Sequence, residues 1–115
     1  MQVIVHGGAG SSPDEPTSRQ NVLDEAASIG TEQAEPITAV CRAINVLESD
    51  DRFNAGVGGA IQSDGVVRTD AGVMTSDREA GAACSMEGVQ SAISVARAVM
   101  EETPHVLVSG DRAVA

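Results

Sequence analysis

The chain has 115 residues, 42% of them hydrophobic, and a formal net charge of −10. That is enough for one small domain, residues 1–115, and too apolar for a disordered segment. All seven basic residues are arginine, and an acidic surface without lysine disfavours nucleic acid and anionic membrane as partners.

The same balance fits a cytoplasm of high salt, where carboxylates stay hydrated and their mutual repulsion is screened. An ordinary acidic mesophilic protein is the alternative. Phe53 is the only aromatic residue. Aromatics bury the largest areas per residue, so the core is expected to be thin and to lean on a partner surface or a longer fold. The start, MQVIVHGG, has no basic segment followed by a long apolar run. Neither a signal peptide nor a membrane span is expected, and the chain reads as cytoplasmic.

In chain order, residues 3–5 form an apolar run ending at HGGAG, which predicts a buried strand entering a tight turn. SSPDEP is loop. Ser18 is placed to cap a helix running to Ile29, with Gly30 just past its end. Pro36 suits the first turn of a second helix. In it Ile37, Val40, Cys41, Ile44 and Leu47 recur at helical spacing, and it should end near Glu48. AIQS and VVRTD flank Asp64-Gly65, a hairpin signal, with the second strand continuing through Met74. Residues 80–88 predict a strand of small side chains. Ser91 is placed to cap a third helix, which Pro104 stops. Residues 106–108 predict a last strand. The pattern is α+β, with antiparallel pairing and helices packed on a sheet.

Several motifs carry less than they suggest. HGGAGSSP places Pro13 where a dinucleotide fingerprint needs its third glycine, and it lacks the Lys-Ser/Thr of a phosphate loop. Cys41 and Cys84 are too far apart for a zinc or redox pair and read as small hydrophobes. His6 and His105 have no spaced ligand partner and read as structural. Asp70, among small strand residues, reads as a carboxylate that accepts backbone N–H groups, with catalysis as the rival role.

Three segments together carry a resemblance: VHGGAG, then VLESDDRFNAGVGGAIQSDGVVRTDAGVM, then SVARAVMEETPHVLVSG, in this order and spacing. They resemble the α-chain of the plant-type L-asparaginase and isoaspartyl peptidase family of N-terminal-nucleophile hydrolases. The resemblance spans nearly the whole chain, and its middle segment is the most specific. It implies an αββα sandwich to which this chain contributes the N-terminal part. It implies a precursor that cuts itself before a threonine, freeing a β-chain whose N-terminal Thr acts as nucleophile and, through its amine, as base. It implies hydrolysis of the Asn side-chain amide or of β-aspartyl peptide bonds, in an (αβ)2 assembly.

By motif match, the resemblance assigns a sodium ion to the backbone carbonyls of Leu47, Glu48, Asp50, Phe53, Ala55 and Val57. It assigns positioning of the nucleophile to Asn54, and places Gly7 and Gly8 near the bond that is cut. Residues 99–106, VMEETPHV from Val99 to Val106, resemble a second ion loop that binds potassium in some members. The nucleophilic Thr, in its usual TVG context, has no match in this chain, so the isolated chain is expected to be inactive. A glycosylasparaginase-like or taspase-like relative, or a non-catalytic fragment, is the alternative.

Overall fold

The structure, a computed structural model, describes the chain apart from residues 10, 11, 57, 58, 60 and 115. The elements are α1 (Pro16–Thr31), α2 (Pro36–Glu48), β1 (Arg68–Met74), β2 (Ala80–Glu87), α3 (Ala92–Glu102), β3 (Leu107–Ser109) and α4 (Asp111–Val114). The fold class is α+β, as expected.

Both long N-terminal helices begin on proline. Its fixed φ suits the first turn, and its missing N–H falls where no intrahelical acceptor exists. Ser18 therefore lies inside α1 rather than at its cap, which is Glu15 in the left-handed region at φ 50. Gly30 is likewise a buried helical residue and not a terminator. α2 has the bounds its periodicity predicts, but its buried face differs. Ala39 and Ala43 are buried, whereas Val40 is exposed. The reason is that α2 lies between α1 and α3 and so buries two flanks instead of one.

Those flanks have different chemistry. Ala43 and Leu47 join Ala26 of α1 and Phe53 in one core cluster. The other flank, with Thr38, Asn45 and Glu48 at spacings of seven and three residues, faces α3 with polar groups. Arg97 donates to Thr38 Oγ1 at 3.2 Å, Ser91 donates to Asn45 Oδ1 at 2.8 Å, and the Ile93 N–H donates to Glu48 Oε2 at 3.0 Å. The α2 C-terminus thus meets the α3 N-terminus, and the two helices run antiparallel.

The sheet has the order β1-β2-β3. β1 and β2 are antiparallel, with the register Gly72↔Ala82 and Met74↔Ala80, while β2 and β3 are parallel, with Ala82↔Leu107. α3 covers one face of β1 and β2. Gly81 makes that contact close: a Cβ there would lie 2.5 Å from the Met100 amide nitrogen. Ala82, next along the strand, points to the other face with its partners Gly72 and Leu107, and Met74 follows two residues on. Met74 is 76% and Leu107 60% exposed.

The register slips between Thr69 and Ala71, where an extra residue bulges out of β2. Ser85 takes φ 54 there, and its N–H donates to Asp70 Oδ1 at 2.7 Å. Asp70 is therefore a carboxylate that accepts a backbone N–H, the favoured of its two sequence roles, although it is exposed.

Two strand expectations need correction. Residues 3–5 are not in the sheet. Val5 packs instead against the helical cluster while Ile4 is 96% exposed, because a strand needs a backbone partner as well as apolar side chains. Among the described residues, the Asp64-Gly65 hairpin is reduced to a turn closed by one bridge, Ile61↔Val67. Its tip has the expected chemistry, with the Val66 N–H donating to Asp64 Oδ1 at 3.1 Å and Gly65 at φ 80. Ala60, at the start of its first arm, lies outside the described residues.

Candidate active site

The N-terminal HGG segment and the loop after α2 meet in one groove of about 840 Å³, lined among others by His6, Gly7, Gly8, Arg19, Arg52 and Asn54. Phe53 forms the junction. It is 6% exposed and packs with Ala26, Ala43 and Leu47. A Cβ on Gly7 would lie 2.8 Å from Phe53 Cε1, so only glycine lets the N-terminal segment approach this ring. Gly8 has φ +111, which glycine alone adopts readily. Its N–H donates to His6 Nδ1 at 2.9 Å. The three residues singled out for the site, Gly7, Gly8 and Asn54, thus line one groove, and Asn54 is exposed in it.

The loop curls because its polar groups bond locally. Asp50 Oδ1 accepts the Arg52 N–H at 2.9 Å and Asp50 Oδ2 accepts from Arg52 Nη1 at 3.2 Å, an Asx turn with an added ion pair. The Asp50 N–H donates to the Leu47 carbonyl at 3.2 Å, and the Phe53 N–H donates to the Asp50 carbonyl at 3.3 Å. The chain then doubles back: a Cβ on Gly56 would lie 2.5 Å from the Glu48 carbonyl oxygen.

Of the residues matched to a sodium site, Leu47, Glu48, Asp50, Phe53 and Ala55 lie on this curl, and Val57 lies outside the described residues. The curl begins on the carbonyls at the α2 C-terminus, the negative end of the helix dipole. A carbonyl that accepts one N–H keeps a second lone pair. In residues 99–106, Thr103 Oγ1 donates to the Val99 carbonyl at 2.7 Å and accepts the His105 N–H at 3.2 Å, which forms a tight turn at the end of α3. Among the described residues, no three His, Cys, Asp or Glu side chains gather as a metal site.

Two residues at the site are not legible from sequence spacing. Arg19 donates to the Arg52 carbonyl and to Asp14 Oδ1 at 2.8 Å, with its guanidinium 5.8 Å from the Phe53 ring centroid. It clamps the loop from α1 across 33 residues, a separation that no local pattern announces. Glu48 is buried at 2% exposure. Burial pushes its carboxyl above the usual range, opposed by the bond from the Ile93 amide and by the nearby Ala92 amide and Ser91 hydroxyl. Its place seven residues after Cys41, on the same helical flank, is the one available signal. Cys41 is buried and Cys84 half-buried, and desolvation raises the Cys41 thiol despite Arg97 nearby.

A sequence profile described as asparaginase matches residues 1–115, and the chain belongs to that family. Its helical layer over a mixed sheet is the N-terminal part of the N-terminal-nucleophile hydrolase fold of that family. It is 42% identical over 120 residues to the plant-type L-asparaginase of Pyrococcus horikoshii, covering 99% of this chain and 39% of that protein. It is 44% identical over 121 residues to the plant-type L-asparaginase of Pyrococcus abyssi, with coverage of 99% and 39%. It is 35% identical over 118 residues to the isoaspartyl peptidase/L-asparaginase of Rattus norvegicus, with coverage of 96% and 35%. The chain thus spans about 39% of the length of the first two relatives. No helix among the described residues is long and apolar enough to cross a membrane.

Proposed function

We propose that residues 1–115 are the α-chain portion of a single asparaginase-like domain whose complete protein is an L-asparaginase or isoaspartyl peptidase. One observation carries the reading beyond family membership. Gly7, Gly8 and Asn54, far apart in sequence, line one groove around the Phe53 junction. In this reading the precursor cuts itself before a threonine, and the resulting β-chain places its N-terminal Thr against the Asn54 amide. The Thr hydroxyl adds to the substrate's β-carbonyl carbon while the α-amine takes its proton. The amine then returns a proton to the departing ammonia or peptide amine, and water cleaves the acyl-enzyme to aspartate.

The β-chain also supplies what the sheet lacks. Exposed Met74 and Leu107, on the face away from α3, suit a second sheet packed across them, and two such αβ units form the assembly. Sodium, held by the carbonyls of Leu47, Glu48, Asp50, Phe53, Ala55 and Val57, fixes the curl of the loop. Potassium is assigned to residues 99–106 by the same resemblance.

Expression of the complete gene product tests this. Mass spectrometry should find a second chain beginning with Thr, and the product should release aspartate from Asn or from a β-aspartyl dipeptide. Residues 1–115 alone should release none. An uncut product without aspartate release would support a non-catalytic protein instead.

A further inference from the structure

Glu48 ends α2 as a buried acid. Oε2 accepts the Ile93 N–H at 3.0 Å, and among the described residues Oε1 has no hydrogen-bond partner. Ile93 lies in the first turn of α3, where amides lack intrahelical acceptors. Ser91, at the N-cap position, makes no capping bond with its side chain; its hydroxyl is bonded to Asn45 and Ser94. The capping role has passed to a residue of another helix. A carboxylate suits it, since a negative charge is favoured at a helix N-terminus and its hydrogen bond is charge-assisted.

The backbone of the same residue is the floor on which the loop closes. A Cβ on Gly56 would lie 2.5 Å from the Glu48 carbonyl oxygen and 3.0 Å from its Cα. The segment carrying Phe53 and Asn54 therefore starts and ends on Glu48, whose side chain is tied to α3, and α3 lies on the sheet. An apolar side chain would fill this space without desolvating a charge, but it would leave the buried Ile93 N–H without its acceptor. The acid supplies that acceptor, and its directional bond selects one geometry.

We propose that Glu48 is a positioning residue: by capping α3 with its carboxylate it fixes the base of the 49–56 loop, and through it the place of Asn54 in the groove. The catalytic half of this statement rests on the role given to Asn54 above.

The test uses the complete gene product with Glu48→Ala, Glu48→Gln, Asn54→Ala and, as a comparator at the far end of α2, Ile37→Ala. Hydrogen exchange at amides 50–56 is read beside kcat and KM. Glu48→Ala should raise loop exchange and lower kcat, each about tenfold or more, with KM within about twofold. Ile37→Ala should cost stability while leaving both readouts near the parent. Glu48→Gln keeps an oxygen to accept the Ile93 N–H and should restore loop protection and most of kcat. If Glu48→Ala fails to accumulate, Glu48→Asp, one methylene short of Ile93, is read in its place. Loop exchange no higher than in Ile37→Ala overturns the proposal. Raised exchange with kcat intact, in the face of an inactive Asn54→Ala, overturns its catalytic half. A fully active Asn54→Ala enzyme overturns the Asn54 assignment separately, and loop exchange alone then decides for or against Glu48.

Discussion

Phe53 and Asn54 are neighbours in the chain with opposite surroundings, one buried among helices and the other exposed in the groove. Their substitutions should therefore separate stability from activity. Phe53→Ala removes the ring that Ala26, Ala43, Leu47 and the Gly7 backbone all meet. It should cost about 3–5 kcal/mol in denaturant unfolding of the complete protein. Asn54→Ala removes an exposed amide and should leave the melting temperature within a degree or two of the parent, roughly what a surface change of ±0.5 kcal/mol allows. Its turnover and self-cleavage should each fall by about 100-fold, the effect of a nucleophile misplaced by ~1 Å. Wild-type turnover in Asn54→Ala would make this loop a structural turn and nothing more.

At the scale of elements, β2 approaches α3 closely at Gly81. A methyl group on Gly81 would enter the backbone of α3, 2.5 Å from the Met100 amide nitrogen and 2.6 Å from Met100 Cβ. Backbone cannot rotate aside as a side-chain tip can. Gly81→Ala should therefore cost at least the 1–3 kcal/mol typical of overpacking, seen as a fall in melting temperature. The extents of α2, β1, β2 and α3 were legible in the sequence, because apolar periodicity, Pro36, Pro104 and Gly88 are local signals. The polar flank of α2 was not. Thr38, Asn45 and Glu48 look like solvent positions until α3 arrives to bond them. The strand at residues 3–5 failed for the converse reason: its composition is right, but a strand exists only where another backbone pairs with it.

At the scale of the molecule, the charge of −10 with no lysine favours the halophilic reading. The ion pairs seen are partly exposed ones such as Arg19–Asp14 and Arg97–Glu101, each worth about 0–1 kcal/mol. Their screening is a small loss beside the relief of self-repulsion. Raising salt from 0.1 to 1 M shortens the screening length from about 10 Å to about 3 Å. The melting temperature of the complete protein should then rise steadily as ionic strength is raised with choline chloride at a fixed sodium and potassium concentration. A flat series, or a falling one, would point to an ordinary acidic protein.

The sequence by itself determined the α+β class, most helix and strand bounds, and the motifs that mark the asparaginase family, all of which depend on residues near one another in the chain. Only the tertiary structure decided that HGG and FNAG share a groove, that Arg19 clamps the loop, and that Glu48 caps a helix other than its own. Each of these joins residues dozens of positions apart. Their geometry is set by how α1, α2 and α3 pack against one another, and no spacing along the chain encodes it.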